Sequence, residues 1–309
     1  MLSHDAGLGG AQPSLTPVVT WRGLVPLAGA VLLFSSAWPV TKEAIGQGAA
    51  PIWFALGRTG LSTLVTLLLM LAMGRLAIPG RRDMPFFLAV ALCQLALFFI
   101  CVHLAMVWVQ AGRTSVITSV TIVFTVPASV LLLRERVPWR RWIAVALGLA
   151  GIVLLVGPWS IDWRAPGVLL GHLFLLIAAG AVGVPMLVIR LRPPALSMVQ
   201  MLPWAFGLAS LMLVPLALAM EPPGRWSTAS LVALGYVGGV AGPIGTWCYL
   251  LTMVHLPVVV ASVGFLMTPA VGLILATLWL GEPLGIDLVL GTALILSGVG
   301  ISVLPGKTA

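Results

Sequence analysis

The chain has 309 residues, of which 60% are hydrophobic and only 8% are charged, and its mean hydropathy is +1.14. Soluble domains carry about 25% charged residues, so this composition excludes a water-soluble protein and indicates an integral membrane protein. The net charge of +8 does not point to a nucleic-acid partner. The basic residues stand in short clusters between apolar runs, where orientation in a lipid bilayer explains them.

Residues 1–21 form a tail that lacks the basic and apolar regions of a cleavable signal peptide. We expect this tail to be mobile and cytoplasmic. The apolar runs that follow it are continuous. They predict helices of about 20 residues that each cross the membrane, and not the alternating strands of a barrel.

Ten such runs lie in chain order between charged residues. The first five occupy Arg22–Lys42, 51–74, Asp83–Arg113, Arg113–Arg134 and Arg141–Asp162. The second five occupy Arg164–Arg190, Arg192–Glu221, two runs between Arg225 and Glu282 that are separated by "VHLP", and Asp287–Lys307. The predicted domains are a first five-helix repeat over 22–156 and a second over 165–305.

The end of the first half is repeated at the end of the second. "LLLRERVPWRRWIAVALGLAGIVLL" and "LWLGEPLGIDLVLGTALILSGVGI" lie 147 residues apart and share Glu135/Glu282 and Gly151/Gly298. The first copy has four arginines around its glutamate and the second has none. Because five crossings per half give the halves opposite orientations, only the first copy would face the cytoplasm, where Lys and Arg concentrate. The predicted fold is all-α integral membrane, with ten transmembrane helices as two inverted-topology five-helix repeats.

The distribution of basic residues predicts the orientation in the membrane. Eleven of the 16 Lys and Arg residues fall on the expected cytoplasmic side and four on the outer side, while Arg58 lies inside the second span. We therefore predict a multi-pass protein of the plasma membrane or the bacterial inner membrane, with both termini cytoplasmic.

Several stretches carry a family resemblance: "WPVTKEAI" with "PIWFALGR", "AGRTSVITSVTIVFTVPASVLLLRERV", and "ASVGFLMTPAVGLILATLWLGEPL" with "GTALILSGVGI". In their order and spacing, the chain resembles the ten-helix EamA branch of the drug/metabolite transporter superfamily over residues 23–304. The resemblance implies a carrier of metabolites or amino acids, commonly an exporter, similar to exporters of amino acids and of aromatic amino acids. The repeats differ in one respect, because Pro269 aligns with Ile122 and the first repeat has Pro127 instead.

Transporters with inverted repeats bind substrates near the midplane, where helices are interrupted. Span eight has Gly242-Pro243 near its middle, and span nine has Thr268-Pro269. Because proline weakens a helix and frees a carbonyl, we expect hinges at Gly242, Pro243, Pro269 and Pro127, and a substrate contact at Thr268. A packing kink without a ligand is the alternative.

Polar side chains in spans three and four add to this candidate site. Five hydroxyl residues recur at helical spacing on one face of span four, and among them we expect Thr118 and Thr121 to line a polar cavity. Close helix packing is the alternative. Gln94 lies about 15 Å into span three, near the midplane, where it bonds either a substrate or a neighbouring helix.

Aromatic residues and one cation complete the set. Rings within or near the spans would suit an apolar or aromatic substrate, with lipid contact or core packing as the alternative; they are Trp38, Trp108, Trp204, Tyr236 and Trp247. Arg58 is charged within a span. Its side chain either snorkels to the interface or pairs with Glu43, at the outer end of span one.

No carboxylate lies at mid-depth, so proton coupling through a carboxylate is not expected. His172, early in span six, is the deepest histidine and the candidate for both substrate binding and proton coupling. We expect alternating access that is driven mainly by the substrate gradient.

The sequence has no acidic pair, no metal-spaced histidine cluster and no nucleotide-binding loop. We therefore expect no enzyme activity, no metal and no cofactor. The expected function is transport of a small molecule, with amino acids first, by a monomer or homodimer. The alternatives are a drug or other metabolite carrier, and a membrane subunit that does not transport. A sugar-phosphate or nucleotide-sugar carrier is disfavoured because it would need several basic residues at mid-depth.

Overall fold

The computed structural model describes residues 21–134, 139–155, 165–256, 261, 264–265 and 267–303, and these residues contain helices and no β-strand. The first half contains α1 (Trp21–Gly46), α2 (Pro51–Ala72), α3 (Met84–Ala105), α4 (Ala111–Thr118), α5 (Thr121–Leu133) and α6 (Trp139–Leu155). The second half contains α7 (Val168–Leu191), α8 (Met198–Met220), α9 (Thr228–His255), α10 (Met267–Leu280) and α11 (Ile286–Val303). Most of the predicted tail, Glu135 and the proline of "VHLP" lie outside the described residues.

The lengths and compositions of the helices agree with a multi-pass membrane protein. Within the described ranges, seven helical stretches of 22 to 28 residues are long and apolar enough to cross a membrane. Three shorter apolar helices, over Trp142–Gly151, Met267–Leu280 and Ile286–Gly298, overlap predicted spans five, nine and ten. The count of ten spans stays a prediction.

Two of the long helices contain a π-helical stretch, in which each turn holds one extra residue. In α3 this stretch is Ala89–Leu97, and in α9 it is Gly235–Ala241. Wide turns of this kind often mark functional sites. The carbonyl oxygen of Gly238 accepts a hydrogen bond of 2.8 Å from the Ser62 hydroxyl on α2, so this backbone group within the widened turn has a partner on a neighbouring helix.

The interruption in span four lies between α4 and α5, at Ser119–Val120. Pro127, where the sequence suggests a bend, lies within the continuous helix α5. The two halves therefore differ in the position of the proline, as their alignment indicates. In the first half the break begins at Ser119, eight residues before Pro127.

One end of the bundle, which we call the Glu282 end, brings together the connections α1–α2, α3–α4, α8–α9 and α10–α11. The carboxylate of Glu282 accepts hydrogen bonds from the backbone N–H groups of Ala111, at 2.7 Å, and Gly112, at 2.9 Å. These N–H groups open α4 and have no partner within that helix. Beside them, Arg113 forms a salt bridge of 3.0 Å with Asp287 at the start of α11. At this end, two acidic side chains of the second half thus bond the start of α4 in the first half.

Two further charged side chains, Glu221 and Lys42, bond backbone groups at the Glu282 end. Glu221, after α8, accepts a hydrogen bond of 2.8 Å from the N–H of Ile52 at the start of α2. Burial raises the pKa of the Glu221 carboxyl, and this hydrogen bond opposes the increase. The ammonium of Lys42 donates to the carbonyl oxygens of Met106 and Val109 after α3. Charged side chains therefore satisfy backbone groups that would otherwise lack partners.

The opposite end, the Asp83 end, joins the α2–α3 and α7–α8 connections. The carboxylate of Asp83 accepts from the N–H groups of Ala195, at 2.6 Å, Leu196, at 3.0 Å, and Gly80, at 2.9 Å. Hydrogen bonds from the backbone of Leu196, Gly80 and Ala195 lower the pKa of the Asp83 carboxyl below its ordinary value. Asp83 is therefore held as an anion by two connections at once.

The repeated glycines lie in a reciprocal seam between α6 and α11. A Cβ atom at Gly151 would stand 2.9 Å from the carbonyl oxygen of Gly291, and one at Gly298 would stand 2.9 Å from that of Ala144. Residues 151 and 298, and likewise 144 and 291, are 147 residues apart, which is the spacing of the sequence repeat. Small residues let helix backbones approach closely in lipid, so the repeat preserves glycine where the halves touch.

We predict that Gly151→Ala destabilises the protein, because the methyl group meets a backbone oxygen that can move only with its helix. The expected loss is about 1–3 kcal/mol, as for other overpacked sites, measured as a lower midpoint of thermal unfolding in detergent. Gly60→Ala on α2 is the control, since a Cβ there meets no atom within 4 Å and alanine favours helix. Equal midpoints for the two variants would contradict the seam.

We also predict that Glu282→Ala lowers the unfolding midpoint, because it leaves two buried N–H groups at the start of α4 unpaired. An unpaired buried donor costs about 1–3 kcal/mol. The control is Glu43→Ala, whose carboxylate bonds Trp279 and Gln47 at an exposed edge, and a surface change of this kind shifts stability by about 0.5 kcal/mol or less. A Glu282 variant as stable as the Glu43 variant would be the contrary result.

Candidate functional site

A cavity of about 330 Å³ lies inside the bundle where its irregular helices meet. It is bounded by the π-helical stretch of α3, the break after α4, the junction at Gly242 in α9 and the start of α10. Residues of α1, α2, α7 and α8 complete the wall. Pockets that bind small molecules typically begin at about 300 Å³, so this cavity has room for one small substrate.

Six of the residues singled out from the sequence line this cavity. They are Trp38, Arg58, Gln94, Thr118, Gly242 and Thr268. They come from six different helices in both halves of the chain. Gly242 and Thr268 were chosen at interrupted helices and the other four for their polar, charged or aromatic side chains, and the cavity brings together residues up to 230 positions apart in the sequence.

The remaining candidates from the hinges and from span four lie beside the cavity or in helix contacts. Thr121 packs against α7, where a Cβ at Gly183 would stand 3.4 Å from its methyl group. Pro269 is buried within α10, and Pro243 follows the π-helical stretch as the second residue of the regular helix that ends α9. Pro243 and Pro269 directly follow lining residues in the sequence, but none of these three residues lines the cavity itself.

Four aromatic candidates lie elsewhere in the fold. The Trp204 indole donates to the carbonyl of Ala77 at 2.8 Å, and Trp247 lies in a separate depression beside Arg75. Tyr236 bonds the Ser36 hydroxyl at 2.6 Å and lines a lateral groove between α1 and α9.

Trp108 is 38% exposed, and its ring covers Gly167 before α7. Gly167 has a φ of +84°, and a Cβ there would stand 2.3 Å from the indole. Glycine is therefore required at this contact.

The histidine nearest to the cavity wall is not the one that the sequence favours. His172 is buried in α7, where its Nδ1 bonds the carbonyl of Val168 at 2.7 Å, and it does not line the cavity. His103 is fully buried and packs edge-on against Phe99, a lining residue, with 5.8 Å between ring centroids. Its neighbours are aromatic, so it belongs to the packing behind the wall.

Arg58 reaches the cavity and not the membrane interface. Its guanidinium carbon lies 4.2 Å from the centroid of the Phe99 ring, a cation–π contact between α2 and α3. The pairing with Glu43 is wrong, because the Glu43 carboxylate accepts hydrogen bonds from Trp279 and Gln47 near the C-terminal end of α1. In the described part of the chain, Arg58 makes no salt bridge.

Three hydroxyl groups of the cavity, those of Thr118, Ser119 and Thr246, already donate to carbonyls of their own helices. Thr118 donates to Thr114, at 2.8 Å, and Ser119 donates to Ser115, at 2.8 Å. Thr246 on α9 bonds Gly242 in the same way, at 2.7 Å. Because the one donor hydrogen of each of these three hydroxyls is already used, the oxygen can only accept further hydrogen bonds.

Aromatic rings form much of the remaining wall, and the sequence analysis did not find them. Phe34, Phe98, Phe99 and Phe206 line the cavity, and Phe98 meets Trp38 edge-on, with 6.5 Å between centroids. A usable signal existed, because Phe34 and Phe98 each stand four residues from a predicted member. Residues at this spacing share a helix face.

A second cavity of about 200 Å³ adjoins the first toward the Asp83 end. Phe34, Gln94 and Thr246 line both cavities, and the second extends to Phe86 and Met198 at the starts of α3 and α8. The central cavity therefore has a neighbouring space on one side. In the described residues, no group of three His, Cys, Asp or Glu side chains could hold a metal ion.

Comparison with known proteins gives a consistent result. The EamA-like transporter family matches the chain twice, over residues 21–157 and 169–304. The chain is 26% identical over 279 residues to the "Probable terminal-alkyne amino-acid exporter" of Streptantibioticus cattleyicolor, which covers 87% of this chain and 89% of that protein. It is 24% identical over 273 residues to the "Uncharacterized transporter YdfC" of Bacillus subtilis, which covers 86% of both chains.

A solved crystal structure shares the fold. It superposes with a TM-score of 0.63 at 20% identity and covers 91% of this chain and 95% of that one. Two family matches over most of the chain, together with apolar helices that surround an internal cavity, lead to one conclusion. The chain belongs to the EamA-like transporter family and is a multi-pass membrane transporter of the drug/metabolite type.

Proposed function

We propose that this protein exports amino acids or similar amphipathic compounds by alternating access, with the substrate bound in the central cavity. The observation that carries the proposal is the composition of the cavity wall, to which irregular helices of both halves contribute. Transporters with repeated halves bind at such places, and rocking of one half against the other exposes the site to each side in turn.

Ten spans in two inverted repeats are part of this proposal. At the start of the first half, Gly23 packs on Leu256, which ends α9 at the Asp83 end. At the start of the second half, Gly167 packs on Trp108 at the Glu282 end. The first helices of the halves thus begin at opposite ends of the bundle, which supports inversion.

The orientation follows from the positions of the basic residues. Arg75, Arg81, Arg82 and Arg192 belong to the connections at the Asp83 end, and Arg190 lies in the last turn of α7 beside them. Because Lys and Arg concentrate on the cytoplasmic side, we propose that the Asp83 end and both termini are cytoplasmic, in the plasma membrane or the bacterial inner membrane. The second cavity then lies on the cytoplasmic side of the central one, and the contacts of Glu282 lie on the outer side.

The cavity chemistry favours a small amphipathic substrate. Among the described residues, its wall combines aromatic rings with an amide, hydroxyl oxygens and a single cation. A sugar-phosphate or nucleotide-sugar would need more positive charge than Arg58 supplies. One relative bears the name of an amino-acid exporter, which supports amino acids as the first class to test. The cavity lies within one chain, so a monomer suffices as the transporting unit.

We expect purified protein in proteoliposomes to catalyse saturable exchange of apolar or aromatic amino acids, measured as counterflow of labelled leucine and phenylalanine. An imposed pH gradient at zero membrane potential should leave the rate unchanged, and so should His172→Gln, because His172 does not line the cavity. Protein-free vesicles are the control. Exchange of amphipathic cations alone would replace amino-acid export with drug transport.

We expect a cysteine at position 284 to react with an impermeant maleimide from outside the cell, and a cysteine at position 78 to react only from the cytoplasm. Leu284 is 51% exposed at the Glu282 end and Ile78 is 76% exposed at the Asp83 end, so Leu284→Cys and Ile78→Cys are a matched pair. The unsubstituted protein gives the background from its three cysteines. Labelling of both positions from one side would exclude the proposed topology.

A further inference from the structure

We propose that Arg58 binds the carboxylate of the substrate, so that this transporter recognises carboxylic acids with an apolar body and discriminates against amines. This inference rests on the proposed function and names the substrate class of the same cavity. It departs from the expectation that Arg58 pairs with Glu43 or snorkels to the interface.

The first argument is the charge of the cavity. Among the described residues of its wall, Arg58 is charged, and no aspartate or glutamate lines the cavity. An uncompensated cation at membrane depth is costly, and such residues normally face a partner or a functional cavity. Here the side chain faces the cavity, so a substrate anion can supply the missing charge.

The second argument is the supply of hydrogen-bond donors. Phe99 holds the guanidinium at 4.2 Å, and a ring face leaves the N–H groups of arginine able to bond a carboxylate at two points. Gln94 also lines the cavity, and its amide has no hydrogen bond to another described residue. Two side chains on adjacent helices therefore offer donors to an acceptor-rich group.

The third argument concerns the rest of the substrate. Trp38, Phe34, Phe98 and Phe206 provide apolar wall around the space beyond Arg58. A substrate ammonium finds hydroxyl oxygens there, at Thr118 and Thr246, but no carboxylate. An amino group is therefore tolerated, while the carboxylate supplies the charge pairing. Acids and amino acids should bind, and the corresponding amines should not.

The test uses three ligands that share one body: L-phenylalanine, 3-phenylpropionate and 2-phenylethylamine. Binding to the purified full-length protein is measured by the ligand-induced shift of the thermal unfolding midpoint, which does not depend on transport. We expect the two carboxylates to stabilise the protein with apparent affinities at least about tenfold higher than the amine, since bonds to charged groups have this order of effect. Equal affinities, a preference for the amine, or no binding of either carboxylate would overturn the proposal.

Variants then assign the effect to the residue. Arg58→Gln should lower the affinity for both carboxylates at least about tenfold and leave the amine unchanged, and Arg58→Lys should lose less because the charge remains. Arg75→Gln, at an exposed position just after α2, is the matched control and should bind as the unsubstituted protein does. Normal carboxylate binding by a folded Arg58→Gln protein would contradict the assignment. If that variant does not fold, the comparison of ligands on the unsubstituted protein still decides the substrate class, and carboxylate binding by Arg58→Lys that equals that of the unsubstituted protein in every respect would contradict the role of the guanidinium.

The two proposals fail in different ways. If carboxylates bind through Arg58 but no labelled amino acid crosses the proteoliposome membrane, the substrate class stands and amino-acid export does not. If amino acids are exchanged but phenylethylamine competes as well as phenylpropionate, transport stands and recognition by Arg58 does not.

Discussion

The fold depends on one constraint: a helix inside a membrane has no water to satisfy the backbone groups that it leaves unpaired. Regular helices satisfy these groups themselves. Every departure from regularity therefore needs a specific partner from another element. In this protein Ser62 serves the widened turn at Gly238, and the Glu282 carboxylate serves the first N–H groups of α4.

The same constraint explains why the cavity lies where it does. A space that holds a polar substrate must be bounded by polar groups, and the irregular turns of α3, α9 and the α4–α5 break bring such groups to the wall of the cavity. In α9 the partner comes from the opposite half of the chain, because Ser62 on α2 bonds the carbonyl of Gly238. The alternating access proposed above, with its relative movement of the halves, would change this contact.

The sequence was sufficient for the all-helical, multi-pass character of the fold and for part of the candidate site. Continuous apolar runs mark the helices. Interruptions within them led to Gly242 and Thr268, and a polar side chain at mid-depth led to Gln94; all three residues line the cavity. The side of each helix could not be predicted, because a residue that faces lipid and one that faces the core are equally apolar. For this reason Trp204 and Trp247 entered the candidate set although they lie outside the central cavity. No sequence spacing shows which ring stands beneath an arginine on a neighbouring helix.

The seam between α6 and α11 has a consequence for how the protein is made. Its two glycines are 147 residues apart, and at 5–20 residues per second a ribosome needs roughly 7 to 30 s to synthesise the intervening chain. Throughout that interval the glycine face of α6 is in the bilayer without α11, its most extensive neighbour in the finished structure. A chain that is cut short before its last helix would keep this face exposed, and the membrane's quality-control proteases would meet it as an unassembled surface.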